Sequence, residues 1–248
     1  RGATGGKPFT LGKYEGTRIR AAIGELIANG GAPMGFYTRY TDPNARQVIT
    51  QYYQFIRRHR HIYHHNQTAA ANLLLFPRTA VHQGKVEAVQ QFLKLGDRLL
   101  DRHVLFDILP DDLATPEALG KYTTVYRTDQ PEPQPTGPFT VTAPKTVRAS
   151  LSKPAKGNAL HLHFVNYNRT EPKNSRSAGG GIHDEKPIAA EGVRFTFTVP
   201  AGKKLTRATF HTPEEKMAKQ LITETTEKRV TITVPKFLVY AVVELGLE

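Results

Sequence analysis

Apolar residues recur at helical spacing near the start of the chain and at strand spacing from residue 139 onward, with a mixed region between. Ile19, Ala22, Ile23, Leu26 and Ile27 make one stripe on a helix that begins near Thr17, and Gly30 and Gly31 terminate it. Ala32 to Tyr37 follows as a short apolar run suited to a buried parallel strand. One helix and one strand cannot close a sheet on itself. The segment therefore reads as the last helix and strand of a (β/α) barrel whose beginning is absent, with Lys7 to Tyr14 as the penultimate strand. Asp42-Pro43 supplies a cap and a first-turn proline for a helix predicted to run to about Tyr63, with Val48, Tyr52, Phe55, Ile56 and Tyr63 on its apolar side.

Asn72 to Pro77, NLLLFP, reads as a buried parallel strand, Lys85 to about Arg102 as an amphipathic helix, and Val104 to Leu109 as the next strand. A short helix near Pro116 to Leu119 and a third strand over Tyr122 to Tyr126 complete a β-α-β-α-β order, which predicts a partial flavodoxin-like parallel sheet. Gln130 to Pro138 carries four prolines in nine positions and reads as a linker or a chain gap. Beyond it the period becomes two. Leu160, Leu162 and Phe164 alternate with His161 and His163; Phe195 and Phe197 alternate with Arg194, Thr196 and Thr198; Val230, Ile232 and Val234 alternate with threonines. With Lys204 to Thr212 and Phe237 to Leu245 as further strands, the expected closure is a C-terminal antiparallel β-sandwich. The fold class is α/β followed by all-β, divided at 1–65, 66–130, 131–138 and 139–248.

Composition narrows this picture in three ways. The chain has 248 residues, 39% of them hydrophobic, enough for real cores. It has no run of about 18 apolar residues, so no membrane span is expected. Zero cysteines exclude a disulfide framework and thiolate metal sites, and fit an exported or a cytosolic protein alike; the compartment is left open, with an extracellular or periplasmic setting slightly favoured over a cytoplasmic one. The net charge of +12 is spread along the chain: 10 basic against 3 acidic residues in 1–65, 7 against 8 in 66–130, and 17 against 11 in 131–248. Without a nucleic-acid-binding signature, this distribution predicts no specific nucleic-acid partner.

Candidate chemistry is sparse. His59, His61, His64 and His65 gather at the end of one predicted helix, with His61 and His65 one turn apart, but no acidic residue lies near in sequence to complete a metal set. Cations stabilising a solvated helix end account for them, and alternation on a strand surface accounts for His161 and His163. No metal site is expected. Asp111 and Asp112 are read as helix caps. The glycines lack the strand-to-helix context of a phosphate loop, and no nucleophile elbow is present. No cofactor is expected.

The order of pieces resembles the C-terminal part of large barrel-based glycoside hydrolases, in particular β-galactosidase-like enzymes that carry a trimerisation domain after the barrel. IRAAIGELIANGGAPMGFY at 19–37, NLLLFPR at 72–78, HVLFDILPDDL at 103–113, HLHFVNYN at 161–168 and KFLVYAVVEL at 236–245 carry the resemblance. It implies a carbohydrate substrate, a missing N-terminal barrel segment or partner chain, and a homo-oligomer. Glycoside hydrolysis uses two carboxyl groups, and barrel enzymes place them at the C-terminal ends of strands. Glu15, at the end of the Lys7–Tyr14 strand, is the candidate nucleophile; Tyr37, Arg39 and Tyr40, after the last strand, are candidate substrate contacts. The alternative is a non-catalytic structural or carbohydrate-binding assembly protein.

Overall fold

The computed structural model describes residues 10, 16–31, 43–171, 173, 185–226 and 228–248. Three helices come first: α1 (Gly16–Ala28), α2 (Pro43–Arg58) and α3 (Arg60–Tyr63). The predicted stripe on α1 is buried, with Ile19, Ile23 and Leu26 all at 0% exposure. It packs against Val48, Tyr52 and Phe55 of α2, against Ile62, and against Val165, Tyr240 and Val242 of the sheet below. Gly24 permits the close approach: a Cβ there would stand 3.3 Å from the Tyr240 ring. The predicted strand over 32–37 lies outside the described residues, as does that over 7–14 apart from Thr10.

The helix expected to reach Tyr63 unbroken instead divides at His59, which leaves helical geometry at φ −105°, ψ 33°. The His59 ring is packed between Phe55 and His211, with centroids 4.7 and 4.4 Å away. The turn after it is held to the sheet: Ile62 is fully buried and Tyr63 shares a hydrogen bond with Tyr240. The helix end is thus solvated only in part: His61, His64 and His65 are exposed as expected, whereas His59 is packed against the sheet.

A two-residue strand, β1 (Gln67–Thr68), precedes a β/α unit made of β2 (Asn72–Phe76), α4 (Arg78–His82), α5 (Val86–Asp101), β3 (Phe106–Pro110), α6 (Pro116–Leu119) and β4 (Thr124–Tyr126). β2 lies in the centre and pairs in parallel with both β3 and β4. α5 covers it with Leu95 and Leu99, which meet Leu74, Val104 and Tyr126. Asp111 does cap helical turns: its carboxylate accepts from the Thr79 backbone N–H at 3.0 Å, at the start of α4, and from the Asp112 N–H of its own turn at 2.9 Å. Asp112 receives the Arg78 guanidinium beside it. The proline-rich stretch is tied to this unit, since buried Asn72 donates to the carbonyls of Leu105 and Thr136 and accepts from the Thr136 N–H.

The remaining strands are β5 (Phe139–Thr142), β6 (Val147–Lys153), β7 (Ala159–Asn166), β8 (Arg194–Thr198), β9 (Leu205–His211), β10 (Lys219–Gln220), β11 (Glu224–Thr226), β12 (Arg229–Thr233) and β13 (Tyr240–Leu247). They form two antiparallel sheets, ordered β1-β6-β7-β13-β9-β10 and β11-β12-β8-β5. Leu162, Phe164, Phe210 and Val243 of the larger sheet share one core with Phe195, Phe197, Val230 and Ile232 of the smaller. In β8 the expected alternation holds, with Phe195 and Phe197 inside and Arg194 and Thr198 exposed. β7 differs. Its second face lies beneath α1–α3, so His161 and His163 are 1% and 0% exposed rather than on a solvated surface.

Candidate functional site

Glu15, Tyr37, Arg39 and Tyr40, the residues singled out from the sequence, lie outside the described residues. Within the described residues, chemistry gathers at two places, both created by the helical layer lying on the six-stranded sheet.

The first is a pocket of about 390 Å³ beside α1, where Thr17, Arg18, Ala21 and Glu25 face Asn166, Tyr167, Asn168, Arg169 and Glu185. Helical spacing puts Arg18, Ala21 and Glu25 along one edge of α1, next to the stripe that enters the core. The Glu185 side chain is fully buried. Arg18 Nε donates to it at 2.9 Å, Arg169 Nε stands 3.5 Å away, and the Thr17 hydroxyl donates to its backbone carbonyl. Glu25 accepts from the Tyr167 hydroxyl and from Asn29 Nδ2 at 2.7 Å. Burial pushes the Glu25 carboxyl above its ordinary pKa, against the lowering effect of the Tyr167 hydrogen bond. The pocket therefore combines a carboxyl whose pKa burial raises with the Glu185 carboxylate approached by two guanidinium groups, an arrangement of polar groups suited to hydrogen-bonding a polar ligand.

A carboxyl whose folded-state pKa is raised gives stability that is complete below its unfolded pKa and is lost as pH rises through the folded one. Glu25→Gln keeps an acceptor for Tyr167 and removes the ionisation. It is expected to raise the thermal midpoint near neutral pH, by about 2–4 °C for each kcal/mol of relieved desolvation, and to change it little in acid. Scanning calorimetry at several pH values checks this; an equal shift at every pH would show that the ionisation is not the cause.

The second place is the seam between α3 and the sheet. Glu244 on β13 is approached by Arg207 Nη2 at 2.9 Å, His61 Nε2 at 3.4 Å and His211 Nε2 at 3.6 Å. At 3.6 Å the His211 contact is electrostatic rather than a hydrogen bond. His211, with His61 and Arg207, holds the Glu244 carboxyl below the usual carboxylate range despite its burial. Beside them, His163 joins Ser152 Oγ through Nε2 and the Tyr240 hydroxyl through Nδ1, each at 2.8 Å. The acidic partner that the histidines lacked in sequence is thus supplied from 183 residues away. Among the described residues, no group of three or more His, Asp or Glu side chains is arranged to hold a metal ion.

No protein-family model and no curated protein matches the chain. Among solved structures, it superposes on α-L-fucosidase isoenzyme 2 from Paenibacillus thiaminolyticus with a TM-score of 0.68 at 10% identity, over 99% of this chain and 61% of that one. The chain shares the fold of the matched part of that fucosidase. The chain spans 61% of the fucosidase's length, and at this identity the likeness concerns the fold alone. A cycloisomaltooligosaccharide glucanotransferase from Paenibacillus sp. (TM-score 0.47, 11% identity, 95% of this chain and 28% of that one) and a rhamnosidase from Novosphingobium sp. PP1Y (0.28, 12%, 70% and 14%) are too distant to carry an argument.

Proposed function

We propose that this chain is the C-terminal part of a glycoside hydrolase acting on a poly- or oligosaccharide. The correspondence in fold with a fucosidase over 99% of the chain is the observation that supports this reading most. In it, α1 is the last helix of a (β/α) barrel completed by a preceding segment or a partner chain. The parallel β3-β2-β4 unit is a flavodoxin-like domain of β-galactosidase-like type that takes part in homo-oligomer contacts, and the two facing antiparallel sheets are the terminal β-sandwich. Glu15 is the nucleophilic carboxylate, with a second carboxyl from outside this chain as proton donor. Tyr37, Arg39 and Tyr40 contact the sugar. Two carboxyl groups suffice for glycosidic cleavage, so the mechanism calls for no cofactor.

The test is hydrolysis by the full-length protein of a panel of nitrophenyl glycosides that includes the α-L-fucoside and the β-D-galactoside. Release of nitrophenol from at least one is expected. Polysaccharide binding with no turnover of any glycoside would instead favour a non-catalytic carbohydrate-binding assembly protein.

A further inference from the structure

We propose that the seam between α2–α3 and the six-stranded sheet is an acid-sensitive latch, which loads positive charge on acidification and releases the helices from the sheet. It does not depend on the hydrolase reading. The geometry that carries it is a convergence of imidazoles on one carboxylate at a packed interface. His59 and His61 come from the helical side, His161 from β7 and His211 from β9, and all surround Glu244 on β13.

The charges facing this seam are strongly one-sided. The α2–α3 segment brings Arg58, whose charge opposes protonation of His59, then Arg60, whose guanidinium donates to His64 at 3.2 Å. β9 brings Arg207, already in contact with Glu244 at 2.9 Å. β7 adds His163, and β13 adds the Tyr240 hydroxyl; these two bond to each other, and β6 contributes only neutral Ser152. At the far side of β9, β10 offers the neutral Gln220 side chain to Thr209, while Lys219 is paired with Glu215. Glu214, in the turn after β9, is taken up by Tyr52 and Thr212. Glu244 is therefore the one carboxylate, among the described residues, in contact with these imidazoles.

His161 is the critical group. It is 1% exposed, and neither of its ring nitrogens has a hydrogen-bond partner among the described residues. A proton placed there is shut off from bulk solvent, meets no hydrogen-bond acceptor among the described residues, and adds to the cations already gathered at Glu244. Burial pulls His161 from its ordinary 6.5 down to about 4, with Glu244 opposing, and burial together with His211 does the same to half-buried His59. His163 is pulled down to about 3, chiefly by burial. These depressed values stabilise docking above pH 6.5, and the contribution is lost as pH falls from there toward 4. Because each imidazole regains its ordinary affinity for protons on release, the released state gains on the order of 10²-fold over the docked one from His161 alone, and less from His59.

Hydrogen exchange of the full chain, corrected for the intrinsic pH dependence, provides the test. Between about pH 7 and about pH 4.5, amides of residues 43–63 are expected to lose protection by on the order of 10-fold or more, while β8 and β12 keep theirs. His161→Phe should move this release to lower pH, and Glu244→Gln, which removes the counter-charge that the described residues supply, should move it to higher pH. If either variant fails to fold, the wild-type histidine ring resonances decide, because His161 and His59 must both titrate well below 6.5. Unchanged protection of residues 43–63 in acid, release at the same pH in both variants, or a His161 that titrates at 6.5 or above would each overturn the latch.

Discussion

Glu15→Gln in the full-length protein is expected to lower kcat by about 10²–10⁴-fold or more while leaving KM, the fold and the thermal midpoint nearly unchanged. A glutamine has the size and hydrogen-bonding reach of the carboxylate, but it neither attacks an anomeric carbon nor stabilises the positive charge that develops there. Glu15 immediately precedes Gly16, the first residue of α1, and α1 is anchored to the sheet through Gly24 and Tyr240. The substitution should therefore leave that anchorage alone. In the proposed mechanism the second carboxyl stands about 5–5.5 Å away for a retaining enzyme or about 6.5–9.5 Å for an inverting one. The Arg39 cation would favour ionised Glu15, which leaves the proton to the other member. Steady-state kinetics on whichever nitrophenyl glycoside is turned over, with calorimetry alongside, checks this. Wild-type turnover in the variant would remove Glu15 from the mechanism.

Phe210→Ala is expected to cost about 3–5 kcal/mol and Ile23→Ala about 2–5 kcal/mol, each a large share of the roughly 5–15 kcal/mol that holds a domain folded. Both side chains are fully buried, but they lie on opposite sides of the same sheet. Phe210 is in the core shared by the two antiparallel sheets, and Ile23 is in the layer between α1, α2 and β13. If the sheet couples its two faces into one cooperative unit, both substitutions lower a single thermal midpoint, by about 2–4 °C per kcal/mol. If the helical layer melts separately, Ile23→Ala splits the transition and Phe210→Ala does not. Calorimetry together with far-ultraviolet circular dichroism distinguishes the two results.

Where local periodicity governs burial, the sequence was a sound guide. The α1 stripe, the NLLLF strand, and the alternation in β8 and β12 all follow from side-chain spacing within one element, and the structure buries their apolar residues; the parallel neighbour β3 is less covered, with Ile108 exposed. Spacing cannot reveal what lies across the interface. His161 and His163 alternate with leucine and phenylalanine as surface residues would, yet a helical layer from residues more than 90 positions earlier covers them. The same blindness hid the contact of His61 with Glu244 and the pocket between Glu25 and Glu185, since each joins residues far apart in the chain. Two-residue strands such as β1 and β10 carry too few positions to show any period. The carboxylate and aromatic positions proposed for catalysis fall outside the described residues, so sequence remains their only support.

Those two shortest strands have a further meaning. β1 and β10 form the two margins of the six-stranded sheet, and each presents only two exposed polar residues, Gln67 and Thr68 on one side and Lys219 and Gln220 on the other. A long open margin would offer a ladder of backbone donors and acceptors to a neighbouring molecule, and lysine at a margin is a recognised deterrent to such pairing. Where they pair, at Ser152–Lys153 of β6 and Thr209–Phe210 of β9, these polar stubs occupy the outer ladder positions that a strand of another copy would otherwise take.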